Sequence, residues 1–186
     1  VALTESLGAG KASVKLDDLY KAGVIIILGQ NPGTNHPRML TALQKAKTGG
    51  AKIISINPLP ESALMGFNNP QQIKGMLGLN SVLTDIFIQI KINRDMPLIQ
   101  AIEKMLLIEE ERNPGKIFDK KFIENNTEGY ENFIRHLKEL NTDGLIELSG
   151  ADSKKVAEAA EVLKYKKKIV ACWAMGLTQH QNAVDT

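Results

Sequence analysis

Glycine, asparagine, glutamine and threonine gather in three loops of this sequence, residues 29–37, 57–62 and 174–180. Gly29 and Gly33 lack the Cβ that would hold a ligand away from the main chain, so amide groups there can approach it closely. The helix expected to begin near Pro37 aims its unpaired N–H groups and positive dipole end at the same place. That combination suits a phosphate or diphosphate. Gly29, Gln30, Asn31, Gly33, Thr34 and His36 are therefore candidate binding residues. A plain tight turn is the alternative for Asn31-Pro32-Gly33, and the helix start that follows it favours binding. In the second loop, Asn57 and Glu61, with Pro58 between them, offer hydrogen bonds to a ribose or a base. In the third, Gly176, Thr178 and Gln179 repeat the same chemistry.

Other chemistries lack their residues. After the first strand the loop reads Gly29-Gln30-Asn31-Pro32-Gly33, which is not the G-x-G-x-x-G spacing of nicotinamide dinucleotide sites. Asn57 also stands where such a fold places an acid for the ribose. His36, His136 and His180 are scattered, and with the single cysteine, Cys172, they form no metal-ligand spacing. Each histidine reads as a surface or capping residue. Cys172 lies in an apolar strand and reads as a small buried hydrophobe. No Ser-His-Asp arrangement, paired carboxylate or Walker loop is present, so no catalytic and no metal-binding residue is assigned. Lys164, Lys166, Lys167 and Lys168 mark a solvated helix end.

The elements that must position these loops follow from periodicity. Val24-Ile25-Ile26-Ile27-Leu28 is a short β-branched apolar run, the pattern of a strand buried on both faces of a parallel sheet. Pro37 suits the first turn of a helix, and Met39, Leu40, Leu43 and Ala46 recur at helical spacing until Gly49-Gly50. A second strand covers Ala51 to Ile56. Within Val82 to Ile92, the stretch Asp85 to Ile90 reads as a third. A helix from Asp95 or Pro97 presents Leu98, Ile102, Met105 and Leu106 to the core and turns Glu109, Glu110, Glu111 and Arg112 outward, and Asn113-Pro114-Gly115 stops it. Residues 116–150 read as a small helical insert, with Phe118 and Phe122 on one helix and Tyr130, Phe133, Ile134 and Leu137 on another. A helix from Asp152 or Ser153 to about Lys164, presenting Val156, Ala160 and Leu163, leads to a strand from Lys168 to Trp173. Strands alternating with helices predict an α/β fold with a parallel sheet, and ligands then bind outside the carboxyl ends of the strands.

Bulk properties fit one globular domain, residues 1–186. The hydrophobic share is 43% and the charged share 24%, both ordinary. A formal net charge of +2 advertises neither nucleic acid nor an anionic membrane as partner. The longest apolar run, Val24 to Leu28, is far short of the roughly 20 residues that span a bilayer. One cysteine fits a reducing, cytoplasmic setting. The chain opens at Val1 and closes at Asp185-Thr186 in what reads as the first turn of a helix, so both ends read as cuts in a longer protein.

Read together, the loops resemble a known family. Ile27 to Met39, with its Gly-Gln-Asn-Pro core and His36-Pro37 at the helix start, resembles the strand, loop and helix of molybdopterin-dependent oxidoreductases of the dimethyl sulfoxide reductase and formate dehydrogenase type. Ala51 to Pro58 is similar to the strand ending in Asp-Pro that follows there. Lys91-Ile92-Asn93-Arg94-Asp95 resembles a later Pro-Gly-Thr-Asp loop, of which Asp95 is retained. Trp173 to His180 looks like the Gly-x-x-Gln loop that lies over the pterin. The likeness runs over nearly the whole chain and is nearest to formate dehydrogenase-like alpha subunits.

The resemblance implies a Rossmann-like parallel sheet flanked by helices. It further implies a bis(molybdopterin guanine dinucleotide) cofactor carrying molybdenum, with a diphosphate near residues 29–37. Guanosine contacts would come from Asn57, Pro58 and the Asp95 loop, and Gly176 to Gln179 would approach a pterin. Asn57 in place of Asp, and Asn93-Arg94 in place of Gly-Thr, alter the guanine contacts. The family's cysteine-rich iron–sulfur segment, molybdenum-ligand region and carboxy-terminal pterin domain would belong to the remaining domains of a parent enzyme. Its partners would be those domains and the cofactor, and the chain alone would be inactive. Two other classes share a sheet of this kind: the central dinucleotide-binding domain of a thiamine diphosphate enzyme and a non-catalytic nucleotide-binding module. Metal analysis separates the first, and calorimetry with free nucleotides the second.

Overall fold

The computed structural model describes residues 2–67, 82–165 and 167–185. Its centre is a four-stranded sheet in the order β3-β2-β1-β4, formed by β1 (Val24–Leu28), β2 (Lys52–Asn57), β3 (Ile86–Gln89) and β4 (Ile169–Trp173). Every pairing is parallel, with Val24 opposite both Lys52 and Ile169, and Ile54 opposite Ile86. All four strands therefore end at the same rim. The apolar run places β1 in the interior, as its composition predicts.

Helices cover both faces. On one side Val24, Leu28, Ile54, Ile56, Ile86 and Ile88 pack with Leu98 and Ile102 of a long helix (Asp95–Arg112) and with Val156, Ala159, Ala160 and Leu163 of another (Ser153–Tyr165). On the other, Ile25, Ile27, Ile53 and Val170 pack with Leu40, Leu43 and Ala46 of the helix Pro37–Thr48 and with Leu64 of a short turn of helix, Ser62–Met65. Alternation along β1 thus feeds two cores. Burying each of these branched side chains contributes on the order of 2 kcal/mol, which makes the sheet the rigid part of the molecule.

Among the described residues the helices, in chain order, are α1 (Ala2–Leu7), α2 (Leu16–Tyr20), α3 (Pro32–Asn35), α4 (Pro37–Thr48), α5 (Ser62–Met65), α6 (Asp95–Arg112), α7 (Lys120–Asn126), α8 (Tyr130–Glu139), α9 (Thr142–Ser149), α10 (Ser153–Tyr165) and α11 (Met175–Thr178). Local chemistry fixes many of their ends. The Asn31 side chain accepts from the Thr34 amide to start α3, and Pro37 occupies the first turn of α4. Asp119 and Asn141 cap α7 and α9 by accepting from the amides of Phe122 and Gly144. Asp152 accepts from Lys154 and Lys155 ahead of α10.

Three sequence expectations are corrected. Glu110 does not face water: it is buried, and its carboxylate accepts from the amides of Gly115, Ile117 and Phe118 at 2.6, 3.0 and 3.1 Å. The returning chain after α6 needs an acceptor there, and helical periodicity carries no trace of it. Phe118 lies ahead of the Asp119 cap, outside the helix that holds Phe122. Residues 174–180 are no open loop but contain α11, anchored by buried Leu177. Val1, Lys166 and Thr186 lie outside the described residues.

Candidate functional site at the strand-end rim

The rim brings the ends of β1, β2 and β4 together with the start of α6. A cleft of about 250 Å3 there is lined by Gly29, Asn57, Pro58, Asp95, Gly176 and Gln179, with Ile92, Asn93, Met175 and His180 beside them. Six of the residues predicted from the sequence thus share one cavity. Its tightest feature is the contact between two glycines. A Cβ on Gly176 would collide with the Gly29 carbonyl, and one on Gly29 would lie 2.8 Å from a Leu177 methyl and 3.1 Å from the Gly176 backbone. Gly29 also takes φ +54, the left-handed region that glycine tolerates. The main chains of the first and third loops therefore meet without side chains between them.

Asn57 and Gln30 support this floor from below. Both are buried, and Asn57 Nδ2 donates to the Gln30 carbonyl at 3.2 Å while the Asn57 carbonyl accepts from the Ile90 amide at 3.3 Å. One residue thereby ties the loops after β1 and β3 to the end of β2. Gln30 Nε2 donates to Met39 Sδ at 3.6 Å, and Gln30 Oε1 is buried without a partner among the described residues. Such an orphaned acceptor is costly unless another group supplies a donor. Asp95 is buried at the first position of α6. Burial pushes its carboxyl upward, partly offset by its own backbone N–H and by charge at His180. Asn93 precedes it at φ 60, a conformation asparagine tolerates better than most residues.

The other predicted residues stand apart from the cleft. Asn31 Nδ2 donates to Glu61, its Oδ1 accepts from the Thr34 amide at 3.1 Å, and Gly33 makes room for Ala63 of α5. Gly33 is thus a packing glycine, where the sequence suggested approach to a ligand. Thr34 and His36 are exposed, and the Thr178 hydroxyl reaches the Ala174 carbonyl at 3.5 Å. His180, read as a surface residue, is half-buried and also lines the cleft. Its position three residues after buried Leu177 was the available signal.

Chemically the cleft offers backbone groups, carboxamides, one buried carboxyl and one imidazole. It can bind a polar, hydrogen-bonding ligand. Among the described residues no group of three or more His, Cys, Asp or Glu side chains could hold a metal ion. No described helix is long and apolar enough to cross a membrane.

No family model matches the chain. It is 44% identical over 185 residues to an uncharacterized oxidoreductase of Mycobacterium tuberculosis, covering 100% of this chain and 24% of that protein. It is 27% identical over 183 residues to the F420-dependent formate dehydrogenase subunit alpha of Methanocaldococcus jannaschii, covering 98% of this chain and 24% of that subunit. Acetylene hydratase from Pelobacter acetylenicus shares the fold, with a TM-score of 0.64 at 18% identity over 98% of this chain and 23% of that one. Fold and relatives together describe an α/β segment that matches part of larger proteins named as oxidoreductases. Its named relatives include uncharacterized oxidoreductases and formate dehydrogenase subunits, in agreement with the resemblance of its loops to the molybdopterin-dependent oxidoreductases. It spans about a quarter of the length of the curated relatives it matches.

Proposed function

We propose that the strand-end rim of this chain binds molybdopterin guanine dinucleotide as one cofactor-holding domain of a molybdenum oxidoreductase of the formate dehydrogenase-like kind. The observation that carries the reading is the gathering of Gly29, Asn57, Asp95, Gly176 and Gln179 in one cleft beside a bare backbone contact. The donor set fits a guanosine: a buried carboxyl at Asp95 accepts from N–H groups of a base, and the carboxamide of Gln179 offers both a donor and an acceptor. The contact between Gly29 and Gly176 sets main-chain groups of both loops at the cleft wall. The diphosphate lies toward residues 29–37, where α4 begins. Gly176 to Gln179 face the pterin. Glu61, Asn31, Thr34 and His36 then act around the cleft rather than in its floor, and Gly33 serves packing against Ala63.

The bound cofactor supplies the molybdenum redox chemistry. This chain's own residues bind and orient. Asn57 fixes the Gln30 carbonyl and so the path of the first loop. Asp95 holds a donor edge, and the glycine pair sets how near the main chain comes. The chain spans about a quarter of its relatives, and on this reading it is inactive alone, with substrate oxidation depending on polypeptide beyond it. Calorimetry with GDP, ADP and NAD tests the binding claim: GDP binds, ADP and NAD do not, and Asp95→Asn weakens GDP about tenfold. Micromolar binding of NAD overturns it. Molybdenum or tungsten with released guanine nucleotide, measured on the complete polypeptide, tests the cofactor itself, and formate oxidation by this chain alone would refute the claim that it is inactive.

A further inference from the structure

Remote from the rim, a second cavity of about 320 Å3 lies between α6 and the short helices of the insert. Phe118, Ile123, Tyr130, Phe133 and Leu137 form apolar walls, and two carboxyls, Glu103 of α6 and Glu128 of the α7–α8 connection, are the charged groups that line it. Its size lies at the lower end of ligand pockets, about 300 Å3 and upward. Neither the rim nor the similarity to oxidoreductases assigns it a role.

Glu103 is the unusual member. Among the described residues it has no hydrogen-bond partner and no cation beside it. Of the basic groups on the surrounding elements, Lys116, Lys121 and Arg135 are exposed and four others are engaged elsewhere. Lys104 donates to the Lys138 carbonyl at 2.8 Å, Lys138 pairs with Glu111 at 2.8 Å, and Lys120 lies 3.5 Å from Glu110. His136 Nε2 faces Gln100 at 3.4 Å. Tyr130, the remaining titratable group of the walls, is held above its ordinary value by burial and by the charges of Glu110 and Glu131. Burial alone pushes Glu103 up to about 7. A carboxyl set among aromatic faces here has no counter-charge beside it among the described residues. A cation with an apolar body supplies the charge, and ring faces attract the same cation through their quadrupoles. A neutral apolar ligand leaves the carboxyl unpaired, and an anion is repelled by both acids.

We propose that this pocket binds a small hydrophobic monocation, an aromatic or alkyl ammonium, with its charged head at Glu103 and Glu128 and its apolar body against Phe118 and Phe133.

Titration of the chain with benzylammonium chloride and with benzyl alcohol, followed by nuclear magnetic resonance shift changes, tests this. Benzylammonium is expected to saturate and to bind at least about tenfold more tightly than the alcohol of similar shape. It stays protonated from pH 6 to 8, whereas Glu103 ionises across that range, so its affinity is expected to rise about fivefold between those two pH values. Glu103→Gln abolishes the pH dependence and weakens binding at pH 8 about tenfold, with helical circular dichroism retained. Equal binding of the alcohol, a pH-independent affinity of the unaltered chain, or no saturable binding at millimolar amine overturns the proposal. The pH arm needs no variant, so a folding defect in Glu103→Gln does not blur the outcome.

Discussion

The rim and the insert solve the problem of close approach in opposite ways. At the rim two main chains meet because Gly29 and Gly176 have nothing to put between them, and order comes from steric fit on a rigid sheet. In the insert, short helices are held onto α6 by carboxylates. Glu110 gathers three backbone amides and Lys120 at one of its ends, while Glu103, two turns earlier, is left in an apolar pocket. The contrast teaches that the rim responds to volume and the insert to charge. Substitutions should therefore separate them by whether pH alters the outcome.

The largest effect is expected at the glycine contact. Gly176→Ala drives a methyl into the Gly29 carbonyl, and since backbone stands on both sides the cost is about 3 kcal/mol or more in urea denaturation, at every pH. A loss under about 1 kcal/mol would mean that the two loops part easily. Next comes Glu110→Ala, which strands three amides and costs about 2 kcal/mol. Burial pushes the Glu110 carboxyl up, but the amides of Gly115, Phe118 and Ile117, with Lys120, outweigh it and hold it at about 2. A carboxyl depressed on folding stabilises above its ordinary value of 4.5 and loses that contribution as pH falls toward about 2. The unaltered chain should thus lose stability across that acid window, and the variant should lose less.

Asn57→Ala removes the bond to the Gln30 carbonyl and costs about 1 kcal/mol, with no pH dependence. The smallest effect belongs to Glu103. Its carboxyl is raised by burial, so it favours the fold below 4.5 and loses that advantage as pH rises through about 7. Glu103→Gln should flatten that decline by on the order of 1 kcal/mol or less, discounted because the side chain is partly exposed. If Glu103→Gln and Asn57→Ala show the same pH profile, the division between steric rim and electrostatic insert fails.

How much of this could be read beforehand differs between the same two regions. The run Val24 to Leu28, the turn at Gly29 and the proline at 37 are local signals, and they place β1, the first loop and α4 where they stand. Strand ends in a parallel sheet share a rim by topology, so Asn57, Asp95 and Gln179 could be grouped without coordinates. The roles of Gly33 and Gly176 could not be told apart, because what each glycine touches lies 30 or more residues away in sequence. Glu110 misled for the same reason. In Glu109-Glu110-Glu111-Arg112 every residue reads as solvent-facing, and only the return of residues 115–118 gives one of them a buried task. His180 was passed over because a lone histidine carries no pattern.

Trp173 ends β4 opposite Leu28, one residue before the segment that carries Met175 and Gly176 into the cleft. It is the single tryptophan of the chain and remains 39% exposed. The protein therefore contains its own optical gauge: the colour of its ultraviolet emission should register when anything settles against that end of the sheet, with no dye attached and no residue changed.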